Sequence, residues 1–160
     1  MRLFVKQPRY VSIRIQGLTL VEMIVVLAII GILALVALPS FSSQIKNDRI
    51  ITNANQLQSI VKFARSEAAK RDQQVDLVVA GSKWLVKIDK DTAQEQTLAQ
   101  FSATHPSISV NNLQDMVISN TGAMAAANLI ITDNDYQTDD RYLCIFISGQ
   151  TLLTKSMNCQ

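Results

Sequence analysis

The sequence predicts an α+β protein: a long, kinked N-terminal α-helix, apolar enough in its first half to cross a membrane, packed on a small antiparallel β-sheet. Three observations predict it. They are an unbroken apolar run from Leu18 to Leu38, a one-sided apolar stripe from Ile50 to Ala68, and short β-rich segments between turns from Val75 onward. The chain of 160 residues has room for one ordinary domain with an appendage, not for a large multidomain enzyme. At 48% hydrophobic and 18% charged residues it is not a disordered chain. Five Gly and three Pro exclude collagen-like and low-complexity classes.

The charge is unevenly placed. Fifteen Lys and Arg stand against 13 Asp and Glu, but Arg2, Lys6, Arg9 and Arg14 fall in the first 17 residues with no acid among them. The remainder carries 11 basic and 13 acidic residues. Then come 21 residues, Leu18 to Leu38, with Glu22 as the one charge. As a helix they span roughly 31 Å, about the hydrocarbon thickness of a bilayer. A soluble core helix is rarely apolar on every face for so long. A basic flank before an apolar span keeps the short N-terminus cytoplasmic and exports the C-terminal part.

An ordinary signal peptide would have a shorter apolar core and a small-x-small cleavage site at its far end, which Leu35-Val36-Ala37-Leu38-Pro39 lacks. A plain anchor fits the length but leaves Glu22 unexplained, because a lone carboxylate in lipid costs on the order of 3 kcal/mol. Gln16-Gly17-Leu18-Thr19-Leu20-Val21-Glu22, followed by the apolar run and Pro39, resembles the N-terminus of type IV prepilins and type II secretion pseudopilins. The resemblance implies that prepilin peptidase cuts the leader, residues 1–17, between Gly17 and Leu18, and that Leu18 becomes the N-methylated terminus. It also implies that residues 18–38 serve first as an inner-membrane anchor and later as filament core. Glu22, then the fifth residue, takes part in filament assembly. A carboxylate in a low-dielectric helix bundle needs a compensating positive charge, and the free amine of a neighbouring subunit's Leu18 is the candidate. One departure is that the family usually has Phe where this chain has Leu18.

Residues 39–71 continue the helix. Pro39 removes a backbone donor and should kink it, and Ser40, Ser42 and Ser43 can back-bond there. Ile50, Ala54, Leu57, Val61, Ala64 and Ala68 recur at steps of three and four. Lys46, Arg49, Lys62, Arg65, Lys70 and Arg71 lie mainly off that stripe and read as a solvated face rather than a phosphate site. Residues 72–160 read as a β-rich globular domain. Val75 to Val79, a turn at Ala80-Gly81-Ser82, and Lys83 to Asp89 form a strand pair, and Lys90 to Gln96 a loop. Further strands are expected at Ile108 to Val110, Met116 to Ser119 and Leu129 to Thr132. Tyr142 to Ser148 and Thr151 to Met157 flank Gly149-Gln150 as a hairpin.

Asn55-Gln56-Leu57, Ala64-Arg65-Ser66-Glu67-Ala68-Ala69-Lys70-Arg71, the pair containing Trp84, and the closing Arg141 to Gly149 pattern narrow the resemblance. They resemble the GspH/FimT/FimU family of H-type pseudopilins and minor pilins. That implies a type IV pilin-like fold and a non-enzymatic, low-abundance subunit that starts or caps a filament at its tip. Its partners would be prepilin peptidase, other minor pilins or pseudopilins, the major pilin and the inner membrane, with the globular domain in the periplasm. Pilus and secretion system use the same leader and helix, so a pseudopilin for protein export remains the alternative. So does a DNA-binding minor pilin for transformation.

In an exported domain, Cys144 and Cys159 read as a structural disulfide rather than two free thiols. A turn at Gly149-Gln150 would place residue 155 opposite Cys144, so a bridge would fold the tail back over the sheet edge. Asp133, Asp135, Asp139 and Asp140 form an acidic loop without the Gly and Glu of a calcium loop, and no metal or other cofactor is expected. His105, before Pro106, is a lone loop residue, and no nucleophile elbow or phosphate loop occurs, so no catalytic residue is named. Residues from Gln44 onward carry 11 basic against 12 acidic side chains, and the tail Ser148 to Lys155 has one Lys and no Arg. Phosphate binding needs several cations, so DNA is possible but not favoured.

Overall fold

The fold is described from a computed structural model, over residue 17, residues 19–134 and residues 138–159. Helix α1 (Leu20–Arg71) is followed by eight strands: β1 (Val75–Ala80), β2 (Lys83–Ile88), β3 (Gln96–Phe101), β4 (Ile108–Asn111), β5 (Met116–Ile118), β6 (Ala127–Asp133), β7 (Arg141–Ile145) and β8 (Thr151–Thr154). The chain divides into two compact units, Met1–Pro39 and Ser40–Gln160.

In the first unit the apolar side chains of the helix meet no partner among the described residues. Leu20, Ile29, Ile30 and Ile32 point to four sides of a helix that turns ~100° per residue. Each is more than half exposed. The expected kink rests on Pro39, whose ring, with the side chains of residues 36–38, lies outside the described residues.

The second unit has one core. The stripe Ile50, Ala54, Leu57, Val61, Ala64 and Ala68 is buried against Leu77, Trp84, Val86 and Phe101 of one sheet and Leu129, Ile131, Leu143 and Ile145 of the other. The expected single small sheet is two four-stranded antiparallel sheets, ordered β3-β2-β1-β5 and β4-β6-β7-β8. Trp84 is fully buried, and its indole N–H donates to the Gln114 carbonyl at 3.1 Å. Buried Asn53 on α1 accepts from the Thr104 amide at 3.0 Å and donates to the Arg49 carbonyl and the Thr104 hydroxyl, tying the loop after β3 to the helix. The helix stops at Asp72, whose φ of 52° lies in the left-handed region. The Gln73 amide reaches back to the Ala68 carbonyl at 3.2 Å, a Schellman closure with Asp where Gly is usual.

Two expectations fail in detail. Strand β3 begins at Gln96, inside the expected loop, and runs through a stretch for which no strand was expected. It is an edge strand with Gln96, Thr97 and Gln100 exposed, so half its pairing surface faces water and the apolar alternation is weak. In the last hairpin Cys144 pairs with Leu152, not with residue 155. The turn occupies Ile147-Ser148-Gly149: the Gly149 amide donates to the Phe146 carbonyl at 2.8 Å, and the Phe146 amide to the Gln150 carbonyl at 2.9 Å. Gly149, at φ 75°, supplies the left-handed residue that such a three-residue turn requires. A Cβ on Gly149 would run into the Gly122 carbonyl, and one on Gly122 would stand 2.8 Å from Arg65 Nε. The two glycine turns thus close tightly around the Arg65 side chain.

Candidate functional site

The N-terminal site is built around the start of α1. Gly17 is exposed, precedes the helix and has open space around its Cα among the described residues. Leu18, the other residue of that bond and the expected methylation site, lies outside the described residues, as do residues 1–16. Thr19 caps the helix. Its hydroxyl accepts the Glu22 amide at 3.2 Å and its carbonyl accepts the Met23 amide at 3.2 Å. Thr19-Leu20-Val21-Glu22 therefore has the Thr-x-x-Glu spacing of a capping box, with the acid in the first turn where the helix dipole favours negative charge. Sequence reasoning missed Thr19, although the Thr-x-x-Glu spacing before an apolar run was there to find it. Glu22 is exposed, and among the described residues its carboxylate has no ion-pair partner. The helix thus presents a capped, acidic first turn leading into a cylinder of exposed apolar side chains. It is one helix long and apolar enough to cross a membrane.

Beyond Pro39, the Ser43 hydroxyl donates to the Ser40 carbonyl at 3.0 Å, one of the back-bonds expected beside the proline.

Cys144 and Cys159 are joined in a disulfide, with their Cα atoms 5.6 Å apart. Cys144 is fully buried on β7, between β6 and edge strand β8, so the bridge brings the tail back across β8. With Leu152 opposite Cys144, Cys159 stands seven residues beyond direct pairing rather than four.

Of the remaining candidate residues, His105 serves the scaffold. His105 Nδ1 accepts the Ser107 amide at 3.2 Å and lies 3.3 Å from Arg49 Nη1, joining its loop to α1. Asp133 is buried at the end of β6 and Asp139 and Asp140 precede β7, while Asp135 lies outside the described residues. Among the described residues no group of three or more His, Cys, Asp or Glu could hold a metal ion.

The basic positions of the helix do not form one solvated face. Arg49 bonds to the loop at His105, Arg65 is enclosed by the glycine turns, and Arg71 donates to Glu67 at 2.7 Å. That hydrogen bond from Arg71, helped by Lys70 and opposed by desolvation, holds the Glu67 carboxyl below the usual carboxylate range. A hydrogen bond from Lys87 at 2.5 Å, reinforced by the Asp91 amide, does the same for Glu95.

Comparison with known proteins agrees with this geometry. A family model described as type II transport protein GspH matches residues 53–151, and one described as prokaryotic N-terminal methylation motif matches residues 13–38. No curated protein matches the chain. Among solved structures, the type IV minor pilin FimU of Pseudomonas aeruginosa is similar at 14% identity and a TM-score of 0.58, over 68% of this chain and 90% of that one. A second crystal form of FimU gives 15% identity and a TM-score of 0.54, over 64% and 90%. The solution structure of Escherichia coli GspH gives 16% identity and a TM-score of 0.53, over 68% and 89%. These likenesses establish a type IV pilin fold, α+β, with one long N-terminal helix packed on antiparallel sheets. Since the GspH model alone covers more than half of its residues, the chain belongs to the GspH family of minor pilins and pseudopilins.

Proposed function

We propose that this chain is a minor pilin of a type IV pilus, cut by prepilin peptidase between Gly17 and Leu18 and N-methylated on Leu18. Residues 18–38 hold it in the inner membrane with residues 72–160 in the periplasm. It then enters the filament, where it initiates or caps assembly at the tip beside other minor pilins and the major pilin.

One observation carries the reading. From Leu20 to Leu35 the helix exposes apolar side chains on every side, and its first turn bears a carboxylate with no partner among the described residues. Two media can cover an apolar cylinder: lipid, and other apolar helices. Glu22 is costly in lipid and is stabilised in a helix bundle that brings a positive charge. Cleavage after Gly17 creates such a charge, the amine of Leu18, on each neighbouring subunit. Pro39 would let the membrane half change direction relative to the half that carries the sheets.

Replacing Gly17 with Ala tests the proposal. The expected result is full-length precursor retained in the membrane, seen as a larger band on immunoblot; normal processing would sink it. Deletion tests the choice of machine: loss of surface pili supports the pilus, whereas loss of exported enzymes with pili intact transfers the same steps to a secretion pseudopilus.

A further inference from the structure

We propose that the groove between α1 and the β7–β8 end of the second sheet is a receptor for a carboxylate side chain of a neighbouring filament subunit. The assignment rests on the filament reading above. The groove, about 240 Å³, is lined by Ile51, Ala54, Asn55, Arg141, Leu153 and Lys155, among others. Arg141 Nε is buried with no acceptor among the described residues. Among the described residues the Arg141 side chain has no hydrogen bond or ion pair, and no acid lines the groove.

A buried guanidinium N–H with no acceptor is a standing cost that a matching ligand removes. The planar guanidinium fork fits a carboxylate in a bidentate pair. Around it, Ala54, half-buried Leu153 and partly exposed Ile51 make an apolar wall. The chemistry selected is therefore an Asp or Glu with an aliphatic neighbour. The volume falls below the range of about 300–1,000 Å³ usual for small-molecule pockets and suits one or two side chains. Nucleic acid fits less well, because phosphate chains need an array of cations. Here the groove offers two cations, Arg141 and Lys155, enough for one carboxylate but not an array.

The test is photo-crosslinking in cells with the full chain, placing the crosslinking amino acid at Leu153 and, as a control, at Ile29. The Leu153 probe should capture another filament subunit through a peptide containing Asp or Glu. Arg141→Gln should lower that yield about tenfold or more. Arg141→Lys should keep part of it, and Ile29 adducts should be unchanged. An unchanged Leu153 yield in Arg141→Gln with the Cys144–Cys159 bridge formed overturns the site. So does a Leu153 adduct to DNA instead of protein. Adducts at Ile29 with none at Leu153 overturn the receptor and leave the filament reading standing, while none at either position tells against both. If Arg141→Gln does not form the bridge, charge exchange decides: Arg141→Glu with Lys at the captured acid should restore the adduct, and no restoration overturns the site.

Discussion

The two halves of α1 share a secondary structure but not a surroundings. From Leu20 to Leu35 apolar residues occupy every side and stay exposed, whereas from Ile50 to Ala68 one stripe of them is almost wholly buried and Ile51 and Phe63, off that stripe, stay partly exposed. Helix formation is satisfied in both by the same backbone hydrogen bonds, so the difference lies in who covers the side chains. The second half is completed by its own two sheets. The first half finds no cover among the described residues, and on the proposed filament reading its single carboxylate calls for a completion other than lipid alone. Period separates the cases: a stripe recurring at three and four residues reports a partner on one side, and an all-round run reports a surrounding medium.

The largest expected effect sharpens this contrast. Leu57 is fully buried, and Leu57→Ala should destabilise the sheet-bearing unit by about 2–5 kcal/mol in denaturant unfolding followed by Trp84 fluorescence. Ile29→Ala removes a comparable side chain from the exposed half and should leave that transition within about 0.5 kcal/mol. Equal shifts from the two variants would erase the distinction between the halves.

The same contrast explains what was legible in the sequence. The apolar run by its length, and the Ile50 to Ala68 stripe and the Val75 to Ile88 strand pair by their periods, carry strong signals and correspond to elements of the structure. Strand β3 was not legible because an edge strand with three exposed polar residues in six has no clean alternation. Division of the strands into two sheets depends on contacts far apart in sequence, which periodicity does not encode. The Cys144 register was misjudged because the turn uses three residues, and Gly149-Gln150 does not reveal that count. Thr19 is legible from the Thr-x-x-Glu spacing, in which Glu22 is half of a cap as well as the one acid of the apolar run. Arg141 could not be picked out as unpaired from sequence, because burial without a partner is a property of the packed hairpin.

The next effect concerns the bridge, which belongs to the sheet-bearing unit alone. Cys144 and Cys159 are 15 residues apart, and a loop of that size contributes about 3 kcal/mol by restricting the unfolded chain. Replacing both with Ala should lower the denaturant midpoint accordingly, and reductant should then have no further effect. A double variant as stable as the bridged protein would remove the bridge from the stabilising interactions.

The smallest effect is a pH dependence. Glu67 and Glu95 are held below their ordinary values in the folded chain, by Arg71 and Lys87 first. The unfolded chain therefore binds protons more readily at both sites. Their contribution is complete above the unfolded carboxylate value of about 4.3 and is lost as pH falls through the folded values. Glu67→Gln should flatten the acid side of the stability profile, and a steeper fall would contradict the assignment.

The most direct test of the central claim, that the apolar half of α1 is made for a filament rather than for an ordinary anchor, is the N-terminus of the mature protein. Intact mass and N-terminal sequencing of membrane-extracted chain should show residues 1–17 removed and a methylated Leu18. A chain that still begins at Met1, or one cut after the apolar run near Leu38, would contradict the account.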